Sequence, residues 1–418
     1  GLLIGYYKSM VVIPYIIASL IPLIVLYVIY SLDLYQMGAF KNVLAAFIWG
    51  VAAFFLARYL NRYLFEYNWL TRSEIVRYFA PFAEEILKAL VLVYLVRRPN
   101  FTYFVDGAIY GFAAGMGFAI FENFEYINTS DAGLGTAIGR VLSANLIHAS
   151  ASALVGVAFG LTRFQRGLRR ALTVLGGLLA AMLVHGVFNN IVDREIPGPV
   201  LVYSVVLGLA AVGLIAFFIL RGLAEQKVWI EQSLGLTDRV SGQEARIAQR
   251  LEDAHELLKP LRAMDQFSDE QVDKIENFVV IQAQLGIKRK TLEKLPDEKM
   301  RQAVEKDMAE LRTKMDQARQ ALGPYLMFYV RNIFPPEESP LFDLIGERLE
   351  EKVAAQKSSG GPSWGAAFGD KLSASISAAK DEEQGATQPG NKDGAAGEKS
   401  PPGSSWMTKD IGSGKEDS

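Results

Sequence analysis

Cysteine is absent from the 418-residue chain, and only three histidines are present. The lack of cysteine excludes disulfide bonds, thiolate zinc sites, iron–sulfur clusters and catalytic thiols. The formal net charge of −2 shows no general basic excess, so nucleic acid is not an expected partner. With thiols excluded and so few histidines present, the position of each histidine becomes important for any candidate site.

Apolar residues are concentrated in the first half of the chain. Residues 1–221 have a net charge of +5, whereas the remaining residues have a net charge of −7. Seven stretches are close to the roughly 20 residues that a helix needs to cross the hydrocarbon core of a bilayer. These stretches are residues 10–30, 43–60, 73–96, 105–126, 135–161, 171–192 and 199–220. The pattern predicts an all-α fold, a polytopic membrane bundle of about seven transmembrane helices.

Basic residues in short loops predict which side of the membrane is cytoplasmic. If every stretch crosses, three groups share one side: Arg97 and Arg98; Arg163, Arg166, Arg169 and Arg170; and Arg221. That side is predicted to be cytoplasmic and to carry the C-terminal half. A fourth group follows the second stretch and contradicts this assignment; it comprises Arg58, Arg62, Arg72 and Arg77. The topology of the first two stretches therefore stays open.

The third stretch carries charged residues at its middle, where an ionisable side chain costs about 2.5–3.5 kcal/mol on insertion scales. Glu84 and Glu85 lie four and three residues before Lys88, so both can approach it on one helix face. A buried ion pair explains one carboxylate but not the second. A spare carboxylate is what general-base activation of a water requires, so all three residues are catalytic candidates.

Three further stretches carry polar residues at membrane depth. Glu122 lacks a charged partner in its own helix. Glu125 lies near the end of the stretch, where the membrane–water interface can accommodate its charge. His148 lies near the centre of the fifth stretch, and His185 lies one helical turn before Asn189 in the sixth. A lone membrane histidine is usually a hydrogen-bonded core residue. Together, however, Glu122, His148, His185 and Asn189 offer the ligand types of a divalent metal site, with zinc the leading candidate.

Small residues in the fourth stretch predict close helix contact. Gly107, Gly111 and Gly115 lie four apart and form one face that lets another helix approach. Two common types of hydrolase active site are excluded, because no H-E-x-x-H motif and no serine elbow lies in a span. An aspartate dyad is also excluded on this reading, since Asp106 is the only aspartate placed at a span. A site made of glutamate and histidine remains.

Four motifs in order resemble those of the PrsW family of intramembrane proteases. They are E-E-x-x-K from Glu84, F-E-N-x-x-Y from Phe121, the isolated His148, and H-x-x-x-N from His185, all within about residues 70–195. The family is similar to a wider group that includes CAAX prenyl endopeptidases and bacteriocin-immunity membrane proteins. The resemblance implies an endopeptidase of the bacterial cytoplasmic membrane that cuts membrane-embedded proteins, such as an anti-sigma factor.

The resemblance also implies roles for individual residues. Glu84 or Glu85 would activate the water, while His148, His185 and Asn189 would hold that water or a metal. Glu122 stands where the wider group tends to have a histidine, which leaves the zinc requirement open. Two other functions stay open as well: a proton- or ion-coupled transporter, because intramembrane acids and histidines also mark ion pathways, and a non-catalytic receptor or scaffold.

The second half of the chain is rich in charged helix formers. Two stripes at spacings of three and four predict amphipathic helices: Ile247, Leu251, Ala254, Leu258 and Leu261, then Val304, Met308, Leu311, Met315, Ala318 and Leu322. Pro260, Pro296 and Pro324 separate these helices, and residues 240–322 are candidates for oligomerisation, as in a coiled coil, or for a cytoplasmic partner. The predicted division is a transmembrane core at 1–221, a cytoplasmic helical region at 222–357 and a disordered tail at 358–418.

Overall fold

The computed structural model describes residues 2–129, 133–192, 199–233 and 268–332, together with the single residue Ala248. Every regular element in these ranges is a helix, which confirms the predicted all-α fold. The helices are α1 (Leu2–Ser31), α2 (Phe40–Glu66), α3 (Arg72–Glu74), α4 (Ala80–Leu95), α5 (Phe104–Thr129), α6 (Gly133–Leu142), α7 (Ala144–Leu161), α8 (Gly167–Val192), α9 (Pro199–Ser233), α10 (Asp269–Lys294) and α11 (Glu298–Asn332). A π-helix, Ile75–Phe79, joins α3 to α4.

Six helical segments of the described chain are long and apolar enough to span a membrane, counting α6 and α7 as one segment. Helix α4 has only 16 residues, and three of them are charged, yet it packs against α2, α5, α7 and α8 within the same bundle. The third predicted stretch, residues 73–96, corresponds to the π-helix and α4 and is not one of these six segments. The predicted polytopic membrane bundle is therefore confirmed.

Helices α5 and α7 form the centre of the bundle, and glycine brings their backbones together. A Cβ atom on Gly107 would lie 2.1 Å from the carbonyl oxygen of Gly156. A Cβ on Gly111 would lie 2.3 Å from the carbonyl oxygen of Ser152, and one on Gly115 would lie 2.3 Å from that of His148. Any side chain at these positions would push the helices apart, so the predicted small-residue face is confirmed as the contact.

The loops define two ends of the bundle. One end, here called the hairpin end, holds residues 32–39, 96–103 and 162–166. Helix α10 packs there against α9 and forms a helical hairpin with α11. Gln284 of α10 donates 3.1 Å hydrogen bonds to the carbonyl oxygens of Tyr35 and Gln36, and Lys288 donates to that of Pro99 at 3.4 Å. The other end, here called the cavity end, holds the C-termini of α2, α5 and α8.

The predicted apolar stripe of α11 is buried. Val304, Met308, Leu311, Met315 and Leu322 are each at most 9% exposed and belong to the core that includes α10. Pro296 lies between the two helices of the hairpin, as predicted. The other predicted stripe, from Ile247 to Leu261, lies outside the described residues, as does the predicted tail. Self-association or partner binding through residues 240–322, and the three domain boundaries, stay predictions.

Two buried aspartates meet at the hairpin end, which corrects the exclusion of an aspartate pair. Asp33, in the loop after α1, accepts the Gly38 N–H at 2.7 Å, and Asp106 accepts the Thr102 N–H at 2.6 Å. A Cβ on Gly38 would lie 3.1 Å from an Asp33 oxygen and 3.6 Å from an Asp106 oxygen. Asp33 lies outside the predicted spans and reaches the pair from a loop.

Candidate active site

Helix α4 places three charged side chains in the interior of the bundle. Glu84 is 5% exposed, and Glu85 and Lys88 are completely buried. A single turn of helix separates them, so their side chains enter the same space between α4 and its neighbours. Charges removed from water in this way are tolerated only when other groups of the protein pair with them.

Glu85 is fully engaged by surrounding donors. Its Oε1 lies 2.5 Å from Lys88 Nζ and 2.9 Å from His185 Nδ1. Its Oε2 accepts a 3.3 Å hydrogen bond from the Ser152 hydroxyl. With both oxygens occupied and no exposed surface, Glu85 connects α4, α7 and α8 rather than facing solvent.

Glu84 has the opposite environment from its neighbour. Its Oε2 is buried and accepts no hydrogen bond from any described residue. The nearest cationic candidate is His185, whose Nε2 lies 3.9 Å away. Glu84, His148 and His185 each offer a ligand atom, and these atoms lie within 4.8 Å of one another. This is the group within the described chain that has the spacing and donor types to hold a metal ion.

Glu122 lies beside the same group and has a cationic partner from another helix. Its Oε2 is 2.5 Å from Arg140 Nη2 and 2.8 Å from His148 Nε2. Arg140 also donates from Nε to Asn123 at 2.7 Å, and its guanidinium stacks 3.8 Å from the centre of the Tyr126 ring. The predicted ligand Glu122 is therefore part of an ion-paired network that touches His148.

Arg140 is the functional candidate that sequence reasoning missed. It lies in α6, which sequence analysis merged with α7 into one span. The structure breaks this segment at Ser143 (φ −129°, ψ −78°), and the break brings Arg140 toward Glu122. The signal available in the sequence was the isolated charge of Glu122, which required a partner from elsewhere in the bundle.

Asn189 lines the same cavity as Glu84 and is tied to the π-helix. Its side-chain amide donates a 2.8 Å hydrogen bond to the carbonyl oxygen of Val76 in the π-helix. The adjacent Asn190 donates to the carbonyl oxygen of Arg77 at 3.3 Å. The two amides therefore fasten α8 to the π-helix.

Glu125 lies near the surface, as predicted for a residue at the membrane interface, and it pairs with Arg58 at 3.0 Å.

A cavity of about 390 Å³ leads from the cavity end to the site. Glu84 and Glu122 line its inner part, together with Phe118 and Asn189. The exposed side chains of Arg58, Arg62 and Arg72 surround its outer part. Glu85 does not line it, so only one member of the E-E pair faces the open space. Water can therefore reach Glu84 and Glu122 within an otherwise apolar bundle.

These features define a polytopic membrane protein with a buried carboxylate–imidazole site that is open to water from one end. Residues 38–221 match the family model described as PrsW family intramembrane metalloprotease. This membrane region is therefore similar to the PrsW family, in agreement with the motif resemblance, and the similarity supports protease activity.

Two curated relatives are similar to the same part of the chain. Protease PrsW of Bacillus subtilis (strain 168) is 28% identical over 168 residues, which cover 39% of this chain and 74% of the relative. Protease PrsW of Clostridioides difficile (strain 630) is 31% identical over 121 residues, which cover 28% of this chain and 50% of the relative. No solved structure gives a significant match.

Proposed function

We propose that this protein is an endopeptidase that hydrolyses a peptide bond of a membrane-embedded protein in the cavity above Glu84. The observation that carries the proposal is the buried Oε2 of Glu84, which has no donor among the described residues and lies beside His148 and His185. A buried carboxylate oxygen without a partner costs free energy, so its retention next to two imidazoles indicates a bound group or a reacting water.

The donor set fits a divalent metal, with zinc favoured. Two imidazoles and one carboxylate are a common ligand set of catalytic zinc sites, which keep further positions open for water and substrate. Glu84, His148 and His185 would hold the ion. When bound, such an ion lowers the pKa of a coordinated water and polarises the scissile carbonyl group. The hydrogen bond of Asn189 to the π-helix uses its amide nitrogen, so its Oδ1 stays a candidate for a further ligand.

The remaining residues of the site would orient and transfer protons. Nδ1–H of His185 would donate a hydrogen bond to Oε1 of Glu85, which directs Nε2 of that ring toward Glu84. Lys88 neutralises Glu85 at 2.5 Å, so the pair can stay buried. Glu122 lines the cavity beside His148, which makes it the candidate acceptor of the proton lost by the attacking water.

A metal-free version of the same reaction also has an observation in its favour. Lys88 Nζ lies 3.4 Å from His148 Nδ1, so the cluster already contains one fixed cation. In this version Glu84 itself would take the proton from water, as sequence analysis suggested, while His148 and His185 would orient that water. The two versions share their residues and differ in metal content.

We infer the orientation from the distribution of charge and the substrate class from the family resemblance. The hairpin end carries Arg97, Arg98, Arg166, Arg169 and Arg170, which favours a cytoplasmic location for this end and for the hairpin. The cavity would then open on the outer face of a bacterial cytoplasmic membrane. Substrates would be single-span membrane proteins with a cleavable segment near that face, and the family resemblance suggests an anti-sigma factor as one of them.

The experiment is a cleavage assay with the full chain reconstituted in vesicles and a fluorescently tagged single-span substrate. Wild-type protein is expected to release the tagged fragment, and Glu84→Gln is expected to reduce the rate by at least about 100-fold. Glu231→Gln is the matched control, because Glu231 is exposed on α9 outside the cavity. Cleavage by Glu84→Gln at the wild-type rate would exclude the proposed site.

A further inference from the structure

Four arginines of the chain violate the charge rule that orients membrane proteins. Arg58, Arg62, Arg72 and Arg77 lie at the cavity end, although the opposite end already carries a larger arginine group. Because both ends are basic, these four residues do not serve as a topology signal. The presence of these four arginines at the cavity end therefore needs a different physical explanation.

Three of these arginines line one opening. Arg58, Arg62 and Arg72, here called the arginine rim, surround the outer part of the cavity that reaches Glu84 and Glu122. The fourth, Arg77, lines a separate apolar groove between the π-helix and α8. The rim therefore belongs to the cavity and not to the surface in general.

The rim arginines are available for an external anion. Arg58 pairs with Glu125 and Arg62 with Glu66, and both arginine side chains are more than half exposed. Exposed pairs of this kind contribute only about 0–1 kcal/mol, so they exchange readily with other partners. Arg72 makes no ion pair with any described residue. The rim thus presents three guanidinium groups that two weak internal pairs only partly neutralise.

The inner part of the cavity has the opposite charge. Glu84 and Glu122 lie at the depth where hydrolysis is proposed. Helix α5 forms one wall of the cavity, from Glu122 at the inner part to Thr129 at the outer part. The helix from Glu122 to Thr129 rises roughly 10 Å at about 1.5 Å per residue. An extended peptide advances about 3.3 Å per residue. A residue about three to five positions from the scissile bond would therefore reach the rim.

The cavity wall also offers an acceptor suited to a peptide. Asn61 Oδ1 is buried in this wall and accepts no hydrogen bond from any described residue. A backbone N–H of an extended peptide would satisfy it. A lipid phosphate brings only acceptor oxygens to this position. The combination of a buried acceptor and guanidinium groups around one opening favours a polypeptide over a lipid headgroup.

We propose that the arginine rim binds aspartate or glutamate side chains of the substrate about three to five residues from the scissile bond, on the segment that leaves the membrane at the cavity end. The proposal rests on the proposed peptidase function and specifies its substrate class. Membrane proteins with an acidic juxtamembrane segment on that side are the preferred substrates. Proteins with a neutral or basic segment there are poor substrates.

The test uses the full chain in phosphatidylcholine vesicles with two substrates that share one transmembrane segment. One has Asp and Glu in the juxtamembrane segment, and the other has Asn and Gln at the same positions. Wild-type protein is expected to cleave the acidic substrate about tenfold more efficiently, mainly through a lower KM, and the preference should shrink at high salt. Arg62→Gln/Arg72→Gln should remove the preference. Arg166→Gln/Arg169→Gln, an equal change of charge at the hairpin end, should retain it.

Each other outcome has a distinct meaning. Equal cleavage of both substrates by the wild type overturns the rim proposal but leaves the peptidase intact. An equal loss on both substrates in the rim variant, restored or altered by anionic lipid, assigns the rim to lipid and also overturns the proposal. If neither substrate is cleaved, the peptidase proposal fails, and the rim is then judged by the binding of the two substrates to the Glu84→Gln protein. Equal binding there overturns it as well.

Discussion

Nδ1 of His185 lies 2.9 Å from Oε1 of Glu85, so the ring of one helix is fixed by a carboxylate of another. The same carboxylate oxygen holds Lys88 at 2.5 Å, which compensates its charge inside the bundle. The bond leaves Nε2 of His185 directed toward Glu84, 3.9 Å away. One glutamate of the E-E pair thus positions the histidine, and the other faces the cavity with a free oxygen.

Glu85→Gln should lower activity without preventing insertion. The amide removes the charge that orients His185 and compensates Lys88, and loss of such a supporting carboxylate typically costs about 10- to 100-fold in activity or metal affinity. The measurement is kcat/KM in vesicles alongside metal affinity. Ser152→Ala is the control, because it removes only the 3.3 Å bond to Oε2. Unchanged kcat/KM in Glu85→Gln would refute the positioning role.

Gly115→Ala should inactivate the protein by moving helix α7. The new methyl group would lie 2.3 Å from the carbonyl oxygen of His148, so the backbone that carries this histidine must shift. Gly213→Ala is the matched control, because a Cβ there meets no atom within 4 Å. Thermal unfolding in detergent and the cleavage rate should both fall for the first variant and stay at wild-type values for the second. Wild-type activity in Gly115→Ala would contradict the close α5–α7 contact.

Arg140→Gln should reduce cleavage by about tenfold through kcat. Without the guanidinium, Glu122 loses its 2.5 Å ion pair in a site where its side chain is only 17% exposed. A buried or partly buried carboxylate that loses its partner changes position or protonation. Arg140→Lys should recover part of the rate, since it restores the charge but not the stacking on Tyr126. Arg169→Gln at the hairpin end serves as the charge-matched control, and equal rates for it and Arg140→Gln would remove Arg140 from the site.

The stability of the hairpin end should depend on pH through Asp33. Burial raises the pKa of Asp33 from its ordinary value near 3.8 to about 6, although backbone N–H groups from Gly38, Met37 and Gln36 lower it in part. A raised acid pKa stabilises the fold fully below about pH 4, and this contribution is lost as the pH rises through about 6. The loss corresponds to roughly 3 kcal/mol at about 1.4 kcal/mol per pKa unit.

Asp33→Asn tests this dependence directly. An amide oxygen can still accept the Gly38 N–H, but it carries no charge at any pH. The variant should match the wild type near pH 4 and unfold at a higher temperature than the wild type near pH 7.5. Thermal unfolding in detergent at the two pH values provides the comparison. A constant difference between variant and wild type at both values would show that Asp33 does not titrate in this range.

Much of the site could be predicted from depth and spacing alone. Glu84, Glu85, Lys88, His148 and His185 are polar residues in apolar helices, and burying them in lipid is so costly that they must meet inside the bundle. The glycine face of α5 likewise predicted which helix surface would be in close contact. These inferences depend on helix geometry, which local sequence determines.

The different roles of Glu84 and Glu85, and the contacts between distant residues, could not be predicted from the sequence. Glu84 and Glu85 are adjacent, and only the packing of α7 and α8 decides that one is enclosed by Ser152 and His185 while the other faces the cavity. The Arg140–Glu122 contact depends on the break at Ser143, where no proline or glycine marks the end of a helix. The Asp33–Asp106 pair depends on a loop conformation. Each of these relationships joins residues that are distant in sequence.

The most direct measurement is the metal content of the detergent-purified protein by elemental mass spectrometry. The central claim is that Glu84, His148 and His185 hold a divalent ion, so wild-type protein should contain near-stoichiometric metal, with zinc expected. The His148→Ala/His185→Ala variant should contain little or none, whereas Glu231→Gln should match the wild type. A folded, cleavage-active wild type without metal would contradict the metal site and leave Glu84 as the group that activates water.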